Sequence, residues 1–308
     1  MVCMILGTRD WRRKITEGVF DLKKVRLGGV LALLALVLLA GGACAEERRF
    51  DGTMYDLKGD LWVLEEMTGN INGDEYEDTV RLVALRADGD RRVDRMWIEV
   101  QHGYAHYTPR DRQPAPYLVP LPEAVKGYNP HAELAKFVEG DTEQLFLTFD
   151  ATVNGPRYFA VVRIRANDVR RDAAFLFDSR TMDSAIVSGN YLGRYLANIR
   201  IADTNTNVTL DVSSRKAFYE KQGVYGAKGE IKRTVAVGVT RYEKISIGPK
   251  GVDGVSMLVA QMGVYGWDDS DRLATVECTL KYDRLFDSWK VADAQVIPEP
   301  DIKVVQPK

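Results

Sequence analysis

Short apolar runs with a period near two, each closed off by Gly, Asp, Asn or Pro, recur along this chain and leave little room for helix. Segments 96–101, 145–149, 158–164, 198–201, 208–212, 235–239, 255–259 and 274–282 are each rich in Val, Ile, Leu or aromatic residues. That spacing sets alternate side chains on one face of a strand. Turn clusters punctuate them, at 87–90, 153–156, 203–207 and 267–271. A helix signature is confined to 214–222, with Ser214 as N-cap and Gly223 just past the end; 121–127 makes a turn or two. The pattern predicts an all-β fold: sandwich, barrel or propeller.

A loose repeat decides among these. A polar Gly/Asp loop followed by an apolar strand occurs at 69–85, again at 138–147, and again at 248–259. Repetition of a loop-plus-strand unit favours a propeller-like array of short antiparallel blades, four or five in number, over a single two-sheet sandwich.

The first copy carries the chemistry. In Gly69-Asn70-Ile71-Asn72-Gly73-Asp74-Glu75-Tyr76-Glu77-Asp78, oxygen-bearing side chains fall at Asn70, Asn72, Asp74 and Asp78, and Tyr76 fills the missing beat with its backbone carbonyl. Calcium takes six to eight oxygens at roughly 2.3–2.6 Å, so this alternation suits one structural calcium. Gly73 permits the tight turn that would bring the ligands together. The competing reading is an ordinary Asn/Gly turn. The weaker copies at 139–143 and 251–254 carry too few ligands and read as plain turns. Asp268, Asp269, Ser270 and Asp271 read as a solvated hairpin tip.

These residues resemble the calcium loop of FG-GAP/VCBS repeats, roughly Asp-x-Asn/Asp-x-Asp-Gly-x-x-Asp before an apolar strand. Asn70, Asn72, Asp74, Tyr76 and Asp78 fill the ligand positions; Asn70 stands for Asp, and Glu75 stands where Gly is common. The downstream Gly127-Tyr128-Asn129-Pro130, the degenerate loop near 139–144 and a strand pair ending near Trp289 extend the likeness over most of 60–297. The resemblance implies a β-propeller-like fold and extracellular binding or scaffolding, with no single conserved reaction.

The N-terminal segment speaks to export. Lys23-Lys24-Val25-Arg26 precedes an apolar run over 27–40 and small residues at Ala43-Cys44-Ala45. That order reads as a secretory signal peptide over 1–45 with an over-long basic region. The run is shorter than the ~20 residues of a spanning helix. A retained anchor, or lipidation at Cys44, are the alternatives, and either would be the route to a membrane. Residues 46–297 form the expected β domain and 298–308 a polar tail. Removing 1–45 strips seven Lys/Arg and three Asp/Glu, making a chain of formal charge −2 more acidic still. An acidic balance disfavours nucleic-acid binding, which needs a basic face.

Of three cysteines, Cys3 and Cys44 lie in the export segment, and Cys278, within an alternating run, reads as a buried strand thiol. His102 and His106 are four apart but flank Gly103, and with His131 they make no zinc motif. Tyr104 and Tyr107, beside those histidines, are candidates for an exposed binding face. No nucleophile elbow or phosphate loop occurs. The expectation is a secreted or envelope-associated, non-enzymatic binding or scaffold protein, its partner an extracellular or cell-wall ligand. The alternatives are an enzyme acting on polysaccharide or peptidoglycan through carboxylates on a propeller face, and a structural surface or spore-layer protein.

Overall fold

In the computed structural model, residues 47–48, 61–86, 92–104, 115–166, 171–182 and 185–305 are described; the expected signal peptide lies outside them. They form seventeen strands in four antiparallel sheets, none closed on itself. Sheet 1 runs β1 (Glu47–Arg48), β2 (Leu61–Gly69), β3 (Asp78–Arg86), β4 (Val93–Gln101) and β5 (Tyr117–Pro120) in chain order. Sheet 2 is β6 (Tyr128–Ala135), β7 (Gln144–Asp150), β8 (Arg157–Ala166) and β9 (Arg171–Asp178). Sheet 3 is β10 (Val187–Leu192), β11 (Leu196–Ile201), β12 (Thr206–Asp211) and, from the far end of the chain, β17 (Lys303–Val304). Sheet 4 is β13 (Gly238–Lys250), β14 (Ser256–Tyr265), β15 (Arg272–Asp283) and β16 (Ser288–Pro298).

The all-β expectation therefore holds, and the predicted runs fall on strands, with one shift. Residues 235–237 precede β13, where Ala236 makes a single bridge to Asn190. The expected helix is a 3₁₀ turn (Ser213–Arg215) leading into one short α-helix (Lys216–Lys221). Arg215, not Ser214, occupies the cap position of the α-helix, because Ser214 already lies inside the 3₁₀ turn; its hydroxyl reaches Asp301 (3.4 Å). The expected polar tail is partly structural. Ile302 is buried and β17 pairs with β12, so residues 298–305 return to complete sheet 3.

Strand alternation explains the layering. In β7, Leu145, Leu147 and Phe149 face one way and join Val80, Leu82, Ile98 and Val100 of sheet 1 in one core. Phe146 faces the other way, with Phe159, Val161 and Phe177, into a second core shared with sheets 3 and 4. Sheet 2 is thus buried on both faces, which is why β7 is apolar almost throughout. Trp289 of β16 fastens sheet 4 to it. Its indole N–H donates to the Leu176 carbonyl (2.9 Å), and its ring packs edge-on against Phe137, Phe177 and Tyr282. Sheets 3 and 4 meet through Leu210, Ile199, Met262 and Val276. The outer face of sheet 4 is polar, with Gln261 and Gln295 both donating to Glu277 (2.8 Å each). Cys278 lies buried and free in β15, and burial pushes its thiol up to about 12.

Candidate functional site

Loop 70–78 connects β2 to β3, and a ladder of side-chain-to-backbone bonds shapes it. Asn70 Oδ1 accepts from the Gly73 N–H (2.7 Å), Asn72 Oδ1 from Asp74 (2.9 Å) and Asp74 Oδ1 from Tyr76 (2.8 Å). Asn70 Nδ2 donates to the Asp74 carbonyl. Each Asn or Asp thereby mimics a backbone turn, the local preference of these residues. Gly73 sits at φ +86°, where a side chain would be strained.

Asp78 anchors the loop. Its side chain is fully buried, and one carboxylate oxygen accepts from the Gly103 N–H (3.0 Å) and the other from Ile71 (3.2 Å). Asn72 Nδ2 and His102 Nδ1 both approach at 3.3 Å. A buried carboxylate is tolerated only with such compensation. Gly103 permits it: a Cβ there would lie 2.1 Å from the Glu77 carbonyl. Asn72 Nδ2 also reaches Asp74 Oδ2 (2.8 Å) and His102 Nδ1 (2.9 Å), so its amide stands where acceptors from three residues converge.

Of the five expected ligand residues, Asn72, Asp74 and Asp78 thus meet in one network. Asn70 shapes the turn, and Tyr76 contributes its N–H to the ladder. Among the described residues, no three His, Cys, Asp or Glu side chains come together as a metal-holding group; the oxygens here are largely amide and backbone. His102 is nearly buried, stacks on Tyr104 (5.3 Å between centroids) and meets the Tyr117 hydroxyl through Nε2 (3.1 Å). Arg171 lies over the Tyr117 ring at 4.1 Å. His102 is therefore a structural partner of the loop. His131 is exposed on β6 between Glu65 (2.7 Å) and Glu133 (3.3 Å). His106 and Tyr107 lie outside the described residues.

Two of the loops read as repeats are bonded to each other, and the second is also bonded to sheet 4. The Asn70 N–H donates to Glu143 Oε2 (2.9 Å), and the Glu143 N–H returns to the Asn70 carbonyl (3.0 Å), so loop 70–78 is clamped to the β6–β7 loop. The latter reaches sheet 4 through Lys136, whose carbonyl accepts from Ser256 (2.6 Å), and through Glu139, whose carbonyl accepts from Arg284 (3.2 Å). A cleft of about 530 Å³ opens where these turns converge, lined by Asn72, Thr142, Arg163, Arg165, Arg284 and Asp287 among others. The arginines and Glu143 were not singled out from sequence. One signal is there: on one face of β8, Phe159 and Val161 give way to Arg163 and Arg165, marking where core ends and cleft begins.

A second polar centre lies within the core of sheets 3 and 4. Asp271, expected at a solvated tip, is buried. One oxygen accepts from the Tyr219 hydroxyl (2.8 Å) and Arg215 Nη1 (2.9 Å), the other from the Tyr191 hydroxyl (2.8 Å) and the Trp267 N–H (2.9 Å). Burial pushes both phenols well above their ordinary range, so they stay donors. Arg215 also grips Asp301 (2.6 and 2.7 Å), which fixes the chain entering β17. All four donors are used on the carboxylate, so the arrangement is a structural tie.

Residues 185–297 match the YybI C-terminal domain family, a span that covers β10 to β16 and this tie. The loop and most of the cleft lie outside the match. Neither a curated protein nor a solved structure matches the chain.

Proposed function

We propose that this protein is a secreted or cell-envelope binding and scaffold module, non-enzymatic, whose loop 70–78 takes one structural calcium. The observation that carries the binding reading is the convergence of turns from sheets 1, 2 and 4 on one polar cleft. Loops held by a rigid scaffold are where recognition concentrates, and the cleft volume lies within the ~300–1,000 Å³ of small-molecule sites. Four successive meanders, one of them buried on both faces, support an open, blade-like stack akin to a propeller as the scaffold. The basic, apolar and small-residue order of 23–45 supports export. No helix among the described residues is long and apolar enough to cross a membrane.

The calcium part rests on the loop's donor set. The Asn70, Asn72 and Asp74 Oδ1 atoms and Asp78 Oδ2 each accept one backbone N–H bond, and an oxygen so engaged keeps a second lone pair for a cation. Amide, carboxylate and carbonyl oxygens, the last from Tyr76, are what a hard cation prefers. The binding reading is tested by titrating the purified chain against a cell-wall fraction. Saturable association with no release of soluble glycan is expected. Glycan release that disappears on mutating one carboxylate would replace the module with an enzyme.

A further inference from the structure

Three guanidinium groups line the cleft; two are each paired with a single carboxylate in poor geometry, and the third bonds a backbone carbonyl. Arg163 Nε lies 2.9 Å from Asp141 Oδ2, but the angle is too poor for a hydrogen bond, and that nitrogen is buried without an acceptor. Arg165 meets Asp172 only at 3.8 Å, beyond hydrogen-bond reach. Arg284 bonds the neutral Glu139 carbonyl, and Asp287, the remaining acid of the lining, accepts from the Tyr282 hydroxyl. An arginine carries five donors in a rigid fork that matches carboxylate and phosphate oxygens. Here the forks come from β8 of sheet 2 and from the turn between β15 and β16 of sheet 4, and all three line the one cleft. Apolar side chains of Ile71, Val138 and Ile164 add a neutral part to the lining.

We infer that the cleft binds the carboxylate or phosphate group of an anionic saccharide, with Arg165 and Arg284 gripping the oxyanion while Arg163 stays beside Asp141. This inference rests on the binding-module reading and names its ligand class. A small ligand with one charged group and a polar body fits a lining that combines arginines, Asn72 and Thr142 with a few apolar side chains. Paired charge-assisted bonds of this kind are the strong ones. The cleft needs no ordering of loops to form, since the β6–β7 loop is already tied to sheets 1 and 4.

The test is calorimetric titration of the full chain with galacturonate, glucose 6-phosphate and, as a neutral control, galactose. One of the charged sugars should bind and galactose should not. Arg165→Gln with Arg284→Gln should weaken that binding at least about tenfold, and the Lys pair should recover only part of it, because lysine keeps charge but loses the fork. Both side chains lie at the cleft surface, and an unchanged melting temperature shows that the variants fold. Galactose binding as well as the charged sugars, or charged-sugar binding unchanged by the Gln pair, overturns the inference. Failure of all three sugars also overturns it. If the wild-type chain and the Gln pair then associate equally with the wall fraction, the module reading stands and the cleft assignment alone falls. If neither associates, both fall.

Discussion

Replacing Asp74 and Asp78 separately by alanine divides the loop's own architecture from any contribution of a cation. Asp78 is buried, and its removal strands the Ile71 and Gly103 N–H groups. Each orphaned buried donor costs ~1–3 kcal/mol, so Asp78→Ala should lose about 2–6 kcal/mol even in chelator. Asp74 is half-buried, and its two bonds, to Tyr76 N–H and Asn72 Nδ2, can be replaced by water. Asp74→Ala should therefore cost only about 1 kcal/mol in chelator. A bound ion changes the balance: at a concentration a hundredfold above its Kd it stabilises the native state by about 2.7 kcal/mol. If Asp74→Ala abolishes binding, all of that is lost in calcium. For a domain of this size ~1 kcal/mol moves Tm by about 2–4 °C. The expected Tm loss for Asp74→Ala is then about 2–4 °C in EDTA and about 7–15 °C in calcium. Differential scanning calorimetry of wild type and both variants, each with EDTA or excess calcium, measures this directly. Equal losses for Asp74→Ala in the two conditions would refute the metal role, and a small loss for Asp78→Ala would refute the anchor.

Asp271→Leu should destabilise by about 3–5 kcal/mol in urea titrations, because it leaves Arg215, two tyrosine hydroxyls and the Trp267 N–H facing a buried site without their acceptor; a loss below about 1 kcal/mol would contradict the tie. Cys278 should resist thiol reagents in the native state and react fully in denaturant, since burial holds the folded thiol near 12. Its raised folded value means that its stabilising contribution is complete below the ordinary thiol range and fades as pH climbs toward 12. Asp178 behaves oppositely. Burial pushes its carboxyl up, but bonds from the Arg180 side chain and backbone, with the Arg180 charge, hold it below the ordinary range. Its contribution is present above ~3.9 and is lost as pH falls through the lowered folded value. Denaturation at pH 3 and pH 6 should therefore show a smaller difference for Asp178→Asn than for wild type, and an unchanged difference would sink that assignment.

What could be read without coordinates was local. The apolar runs 145–149 and 274–282 announce strands because alternation and β-branched content act within a few residues. The Asn/Asp ladder of 70–78 folds its own turn for the same reason, since every bond in it spans two to four residues. Cys278 was legible as a buried thiol because it shares the alternation of Ala274, Val276 and Leu280. Strands β2, β5, β6, β9, β10 and β16 were not singled out, as mixed or charged sequences such as Tyr128–Ala135 are held by their neighbours' ladders. Position along the chain could not reveal that β17 returns to β12, that Asp271 turns inward to two tyrosines, or that Glu143 clamps Asn70 across 73 residues. The cleft belongs to the same class: Arg163 and Arg165 line it together with Arg284 only because sheets 2 and 4 share a core. Short-range bonding preferences are properties of neighbouring residues, whereas the partners of a buried charge or a cleft-lining arginine are chosen by which faces pack, and packing is a property of the whole chain.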